Sequence, residues 1–159
     1  DESLPRNQDN DLVARLTERG TVYWRVNATA AYLAPGTFAG LWRRAFLNGA
    51  WNVWAHRRGR GGHSWWHFVP MAMVGLGALL LFMMATRSPL ALWCLSFLAV
   101  IYGLLAIGSA IGVASPRRAY WAIPILPFLF FLHHAIYGLG SWSAVARPNP
   151  IPLHSPQQP

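Results

Sequence analysis

The sequence predicts a mainly α-helical membrane protein in which three transmembrane helices follow an amphipathic helix. Of the 159 residues, 54% are hydrophobic and only 11% are charged, and nine are tryptophan. This balance is typical of chains that present apolar side chains to lipid rather than bury them in a soluble core. The length is that of one domain. Shifts in composition divide the chain into four segments, residues 1–36, 37–63, 64–146 and 147–159.

The first segment holds all the carboxylate side chains: Asp1, Glu2, Asp9, Asp11 and Glu18. Apolar residues at positions 12, 13 and 16 predict a short helix over residues 9–19, with Asn7 or Asp9 at its start and Gly20 at its end. β-branched and aromatic residues over 21–33 predict one or two short strands. Carboxylates are the usual general bases and the usual ligands of Mg²⁺ and Mn²⁺, so chemistry of that kind is expected only in this segment.

The second segment begins with a predicted amphipathic helix over residues 37–54. Phe38, Trp42 and Phe46 fall on one side of a helical wheel, while Arg44 and Trp51, seven residues apart, share another direction. A cationic helix with bulky apolar residues on its other face is suited to the bilayer surface. Burial of this helix against protein is the alternative. A basic, glycine-rich linker over residues 56–63 follows.

Three uncharged apolar stretches, over residues 67–85, 90–113 and 120–145, predict the three membrane-spanning helices. The first would rise about 28 Å, which is close to the thickness of the hydrocarbon layer. Pro124 and Pro127 predict kinks in the third. Gly108 and Gly112 in the second would allow another helix to approach closely. The proline-rich tail, residues 147–159, is expected to be disordered.

The arginines predict how these helices are oriented. All 13 basic residues are arginine. With the N-terminal region in the cytoplasm, the inner side carries Arg43, Arg44, Arg57, Arg58, Arg60, Arg117 and Arg118, and the outer side carries Arg87 and Arg147. This bias follows the positive-inside rule. A basic chain can also bind nucleic acid, but these arginines flank apolar segments, so membrane lipids rather than nucleic acid are the expected partner.

Three blocks of the sequence resemble the membrane-bound family 2 glycosyltransferases. In the first, Gln8-Asp9 opens a helix that leads through residues 15–20 into a strand-like segment. In the second, residues 41–51, Arg44 and Trp51 fall in the region of that family's Gln/Arg-x-x-Arg-Trp signature, although no arginine directly precedes the tryptophan. The third, residues 134–140, is similar to the last helix of succinoglycan-type exopolysaccharide transferases.

The resemblance implies an inverting enzyme with a GT-A fold in the bacterial inner membrane. Residues 1–36 would then be the helix-and-strand C-terminal edge of its α/β catalytic domain. Asp9 would be the general base that takes the proton from the acceptor hydroxyl, a role that contributes about 10²–10⁴-fold to the rate. The contacts with donor or acceptor would come from Gln8, Arg6, Arg44 and Trp51.

The resemblance also implies partners and a cofactor. A nucleotide sugar would be the donor, and a polyprenyl-linked or glycan molecule would be the acceptor. In this family the nucleotide-binding half, with its Asp-x-Asp motif, precedes the segment that Gln8-Asp9 matches. An Mg²⁺ or Mn²⁺ ion would therefore be bound by residues outside this chain.

Other interpretations of the same residues stay open. One alternative is that Asp9 is a helix cap and nothing more. Another is that Arg44 and Trp51 anchor the helix at the membrane interface. Asp11 is expected to be solvated. His63 and His67 have the spacing of metal ligands without an evident third ligand. His134 can bond across helices near Tyr137, contact a lipid carrier or simply pack. The whole chain can also be a small non-enzymatic membrane anchor, assembly subunit or transporter subunit.

Overall fold

A computed structural model describes residues 8–20, 27, 29, 36–59 and 65–147, and all regular elements in this part of the chain are helical. The α-helices are α1 (Gln8–Glu18), α2 (Phe38–Arg57), α3 (Val69–Ala85), α4 (Pro89–Ala114) and α5 (Leu126–Ala146). Short 3-10 turns cover Trp65–Phe68, Ser115–Arg117 and Tyr120–Ala122. Of the strands predicted over 21–33, only residues 27 and 29 are described, and neither belongs to a regular element. The tail after residue 147 lies outside the described residues.

Local sequence signals explain where α1 and α2 begin and end. α1 ends before Gly20, which has a φ of 67° that suits a residue without a Cβ. The Thr37 hydroxyl accepts a hydrogen bond from the Gly40 backbone N–H at 3.1 Å and so caps the start of α2. Gly59, with a φ of 64°, follows the end of α2. The predicted helices of the first two segments are therefore confirmed.

The C-terminal part of α2 lies in the core of the described structure rather than on one face of it. Residues 49–55 are all buried, as are Ala45 and Leu47. Seven consecutive buried residues cover every side of a helix, because a helix turns once in 3.6 residues. Burial against protein, the alternative to an amphipathic surface helix, therefore describes this part of α2. α5 is its principal packing partner.

Glycines allow α2, α3 and α5 to approach closely. A Cβ atom on Gly49 of α2 would collide with the carbonyl oxygen of Tyr137 in α5. One on Gly140 would collide with the carbonyl oxygen of Phe46, and one on Gly138 with that of Pro70. Backbones in such contact pack through small residues, as helices in membranes often do. Gly108 and Gly112, which the sequence predicted for this role, do not have it within the described residues, because a Cβ on either would meet nothing within 4 Å.

Two helical segments are long and apolar enough to cross a membrane: Trp65–Ala85, with a mean hydropathy of 2.2, and Pro89–Arg117, with 2.4. Only 6% and 11% of their most apolar windows are buried. A core helix of a soluble protein would be mostly buried, so these are not core helices of the chain. Their large side chains are instead exposed, including Phe82 (67%) and Trp93 (74%).

The third predicted span is not among these segments. α5 is less apolar than α3 or α4, because it contains His133 and His134, whereas neither of the other two helices contains a histidine. Nor do the prolines kink a continuous helix. Pro124 lies in a turn before α5 and Pro127 in the first helical turn, where its missing N–H costs no intrahelical hydrogen bond. The prolines therefore mark the start of α5.

We predict that Gly140→Ala weakens the packing of α2 on α5. The new Cβ would press on the Phe46 backbone, which cannot move aside as a flexible side chain can. The expected loss in unfolding free energy is about 1–3 kcal/mol, measured by equilibrium unfolding in detergent micelles. The control is Gly112→Ala, which has open space and should be neutral or gain up to about 1 kcal/mol from helix propensity. Equal effects of the two substitutions would contradict the packing.

Candidate functional site

Asp9, the proposed base, lies exposed in the first turn of α1. α1 covers Gln8–Glu18, so Asp9 lies inside the helix. The interpretation of Asp9 as the helix cap is therefore not supported. An anionic side chain in the first turn is stabilised by the positive end of the helix dipole. Asp9 is thus open to solvent and to a substrate.

Asp11 differs from the sequence expectation, because its side chain is only 2% exposed. Its Oδ2 lies 3.0 Å from Nε of Arg15, one turn further along α1. The two atoms are at ion-pair distance but are not aligned for a hydrogen bond. A buried carboxylate needs such a partner, since an unpaired buried charge is strongly unfavourable. Asp11 is therefore a structural residue of α1 rather than a solvated one.

Arg44 and Trp51 lie on α2 in different environments. Arg44 is partly exposed. Trp51 is 3% exposed and belongs to the core cluster with Leu47, Trp54 and Ala144. Its ring meets the ring of Trp54 edge to face, with centroids 5.3 Å apart. Trp51 Nε1 is buried and meets no acceptor in the part of the chain that the structure describes. A role for Trp51 in shaping α2 is therefore supported better than direct contact with a ligand.

Of the predicted site residues that the structure describes, Asp9 lies on α1, and Arg44 and Trp51 lie on α2. Gln8 opens α1, but its side chain, like the whole of Arg6, lies outside what the structure describes. Asp9 and Arg44 therefore remain separate candidates for chemistry, each on its own helix.

A polar junction that the sequence did not reveal joins the ends of α2 and α5. Arg57 donates hydrogen bonds from Nη1 to the Ala144 carbonyl at 2.8 Å and from Nη2 to the Val145 carbonyl at 3.1 Å. Trp54 Nε1 donates to the Arg147 carbonyl at 3.0 Å. The last carbonyls of a helix lack partners within it, and a cation there is favoured by the dipole. Arg57 and Trp54 thus cap α5.

A second polar contact joins α4 to α5. The Tyr102 hydroxyl and His134 Nδ1 are 3.0 Å apart. The sequence offered a bond across helices as one role of His134, and the structure shows such a bond, with Tyr102 of α4 as the partner. The signal was present, because a tyrosine in a long apolar run needs a partner for its hydroxyl. Paired in this way, His134 is held against α4, and the packing interpretation of this residue is supported.

The described residues offer little else to hold a metal or react with a substrate. They contain no group of three or more His, Cys, Asp or Glu side chains that could hold a metal ion. His67 is partly exposed, and His63 lies outside the described residues. An open groove of about 530 Å³ between α3 and α5 is lined only by Ala72, Val74, Gly75, Leu76, Ala78, Leu79, Leu139 and Trp142. Such a lining provides neither a base nor a nucleophile.

Comparisons with protein-family models, with curated proteins and with solved structures found no match to this chain.

We predict that Tyr102→Phe destabilises the packing of α4 on α5 by removing the partner of His134. Hydrogen bonds between helices in membranes are worth about 0.6 kcal/mol on average and about 1.7 kcal/mol at most. A loss in this range should appear in equilibrium unfolding in bicelles. Tyr120→Phe is the matched control, because Tyr120 is 61% exposed and should tolerate the change. A neutral Tyr102→Phe would show that the contact adds nothing to stability.

Proposed function

We propose that this chain is an integral membrane segment whose α3 and α4 form a membrane-crossing hairpin. The observation that carries the proposal is the exposure of two long apolar helices, of which only 6% and 11% of the most apolar windows are buried. Apolar surface on that scale is unfavourable in water and is covered by lipid or by a partner. The length supports lipid, since 26 residues of α4 rise about 39 Å, enough to cross a hydrocarbon layer of about 30 Å.

The arginines support an orientation for this hairpin. Arg57 and Arg58 precede α3, and Arg117 and Arg118 follow α4, whereas the turn between the two helices carries only Arg87. By the positive-inside rule the open end of the hairpin faces the cytoplasm. α1 and α2 precede that end in the chain, so Asp9 lies on the cytoplasmic side. A bacterial inner membrane is the setting that the resemblance implies.

On this anchor we propose the C-terminal part of a family 2 glycosyltransferase. It would move a sugar from a nucleotide donor to a polyprenyl-linked or glycan acceptor with inversion, and Asp9 would accept the proton of the attacking hydroxyl. The exposed position of Asp9 in a helix's first turn supports this role, because a base must reach its substrate. Mg²⁺ or Mn²⁺ would be bound outside this chain.

The other proposed contacts fit this function unequally. Arg44 is partly exposed on α2, and its planar guanidinium suits the diphosphate of a donor or of a lipid-linked acceptor. Gln8 is adjacent to the proposed base in sequence. Trp51 would act through the position of α2, because its ring is in the core.

A non-enzymatic membrane anchor or assembly subunit is the second candidate. The burial of Trp51 favours this candidate, since Trp51 is one of the two residues that carry the resemblance of residues 41–51 to the transferases. Under this interpretation α2 is a packing helix, and Asp9 is a surface charge. The two candidates differ in what Asp9 does, and that difference can be measured.

We predict that Asp9→Asn abolishes sugar transfer in membranes that contain the complete enzyme while donor binding stays nearly unchanged. Loss of a general base should lower the rate by about 10²–10⁴-fold. The assay is transfer of radiolabelled sugar from a panel of nucleotide donors to membrane lipids. Glu18→Gln is the control, since Glu18 is an exposed carboxylate at the other end of the same helix.

Transfer at the normal rate by the Asp9→Asn protein would exclude Asp9 as the base. Absence of transfer from every donor by the unaltered protein, with the chain still in the membrane, would favour the anchor. A fall in activity of equal size in Glu18→Gln would assign the effect to the charge of α1 rather than to a base.

A further inference from the structure

The contacts of α5 bear on how many times the chain crosses the membrane. Three sequential spans alternate in direction, so a third span would run parallel to α3. Its end would lie beside the end of α3, near the turn that contains Arg87. The described contacts can be compared with that expectation at both ends of α5.

The end of α5 lies beside the start of α3. Trp142 Nε1 donates a hydrogen bond to the Met71 carbonyl at 2.9 Å. A Cβ on Gly138 would collide with the Pro70 carbonyl. The core cluster that contains Ala144 takes in Met71 and Phe68. Gly138 also lies against Val74, and Trp142 lies against Gly75. From residue 138 to residue 142 a helix advances about 6 Å, yet their partners shift by only one residue along α3, from 70 and 74 to 71 and 75. α5 therefore crosses the first turns of α3 at a large angle.

The end of α2 is held at the same place. Trp54 and Arg57 bind the last carbonyls of α5. The His56 ring meets the Phe68 ring with centroids 5.2 Å apart. The end of α2, the start of α3 and the end of α5 therefore form one junction, in which the Arg147 backbone lies within hydrogen-bond distance of α2. Had α5 crossed the bilayer, Arg57 and Arg147 would lie on opposite sides of it.

The start of α5 lies near the end of α4. The connection between them is compact, because the Ile123 N–H donates to the Tyr120 carbonyl and the Ile125 N–H donates to the Ala122 carbonyl. The 3-10 turn at Tyr120–Ala122 packs against α4. So short and folded a connection cannot carry the chain across a hydrocarbon layer of about 30 Å. In the α3–α4 hairpin, the end of α4 and the start of α3 face the same side.

We propose that α5 begins and ends at the same membrane leaflet, so that the α2–α5 pair packs against the half of the α3–α4 hairpin nearest its open end. The pair reaches as far as Tyr102 at the middle of α4, which lies 3.0 Å from His134. This inference requires the membrane crossing by α3 and α4 proposed above. The arginine distribution agrees with it. With α5 returning, Arg147 joins the seven arginines counted on the cytoplasmic side, and of the nine only Arg87 is outside. The bias is then stronger than with three crossings.

The exposed side chains of α5 fit this placement. Phe128, Phe131 and Leu139 are exposed, while Gly138, Gly140, Ser141 and Ala144 are buried. A helix with one packed face and one exposed apolar face can lie at the boundary between headgroups and acyl chains.

The test is labelling of single cysteines in the full chain in cells. The background is Cys94→Ser, which removes the native thiol, and the variants are Arg87→Cys, Arg117→Cys and Arg147→Cys, all at exposed positions. A membrane-impermeant maleimide is applied to intact spheroplasts and, separately, to permeabilised ones. We expect the cysteine at 87 to be labelled in intact spheroplasts. We expect the cysteines at 117 and 147 to be labelled only after permeabilisation.

Two other results would overturn the inference, and a third would overturn only the orientation proposed above. Labelling at 87 and 147 together in intact spheroplasts, without 117, would show that α5 crosses the membrane while α3 and α4 still do. Identical accessibility of all three positions would show that α3 and α4 do not cross, and both the proposed hairpin and this inference would fail. Labelling at 117 and 147 but not at 87 would keep α5 on one side and reverse the proposed orientation.

Discussion

The close packing of α2 on α5 is the contact on which the rest of the described structure depends. The two backbones meet because Gly49 and Gly140 leave room for the carbonyls of Tyr137 and Phe46. Ser141 then donates its hydroxyl to the Gly49 carbonyl at 3.1 Å. This approach buries Trp51 and brings Arg57 within reach of the last carbonyls of α5. The junction formed there also fixes the start of α3.

The apolar surface of α3 and α4 imposes the second constraint. Their packing within the chain leaves side chains such as Trp93 and Leu104 largely exposed. Lipid or a partner must therefore cover these side chains. A bilayer would do this for both helices at once and would explain why no charged residue lies within either helix. In the proposed orientation, α1 and its carboxylates precede the open end of that hairpin in the chain, on the side where the proposed transferase would need its base.

Local features of the fold could be predicted from the sequence, whereas distant contacts could not. α3 and α4 were predictable because long uncharged apolar runs usually form long helices. α1 was predictable because its helix signals lie within a dozen residues. The burial of Trp51 was not, because its cause is α5, some ninety residues away. The helical wheel predicted that α2 lies at a surface, because a wheel shows the faces of one helix and cannot show that α5 packs against it. For the site, Asp9 lies in the first turn of a helix as predicted. The Asp11–Arg15 pair is local to α1, but the burial of Asp11 and the Tyr102 partner of His134 depend on three-dimensional packing.

The central claim is that α3 and α4 hold this chain in a lipid bilayer. Extraction of cell membranes with alkaline carbonate tests it most directly, since high pH strips proteins held by charge or by protein partners and leaves those that cross the hydrocarbon layer. The account predicts that the chain stays with the membrane pellet and leaves it only when detergent dissolves the bilayer. Release of the folded chain into the carbonate supernatant would contradict it.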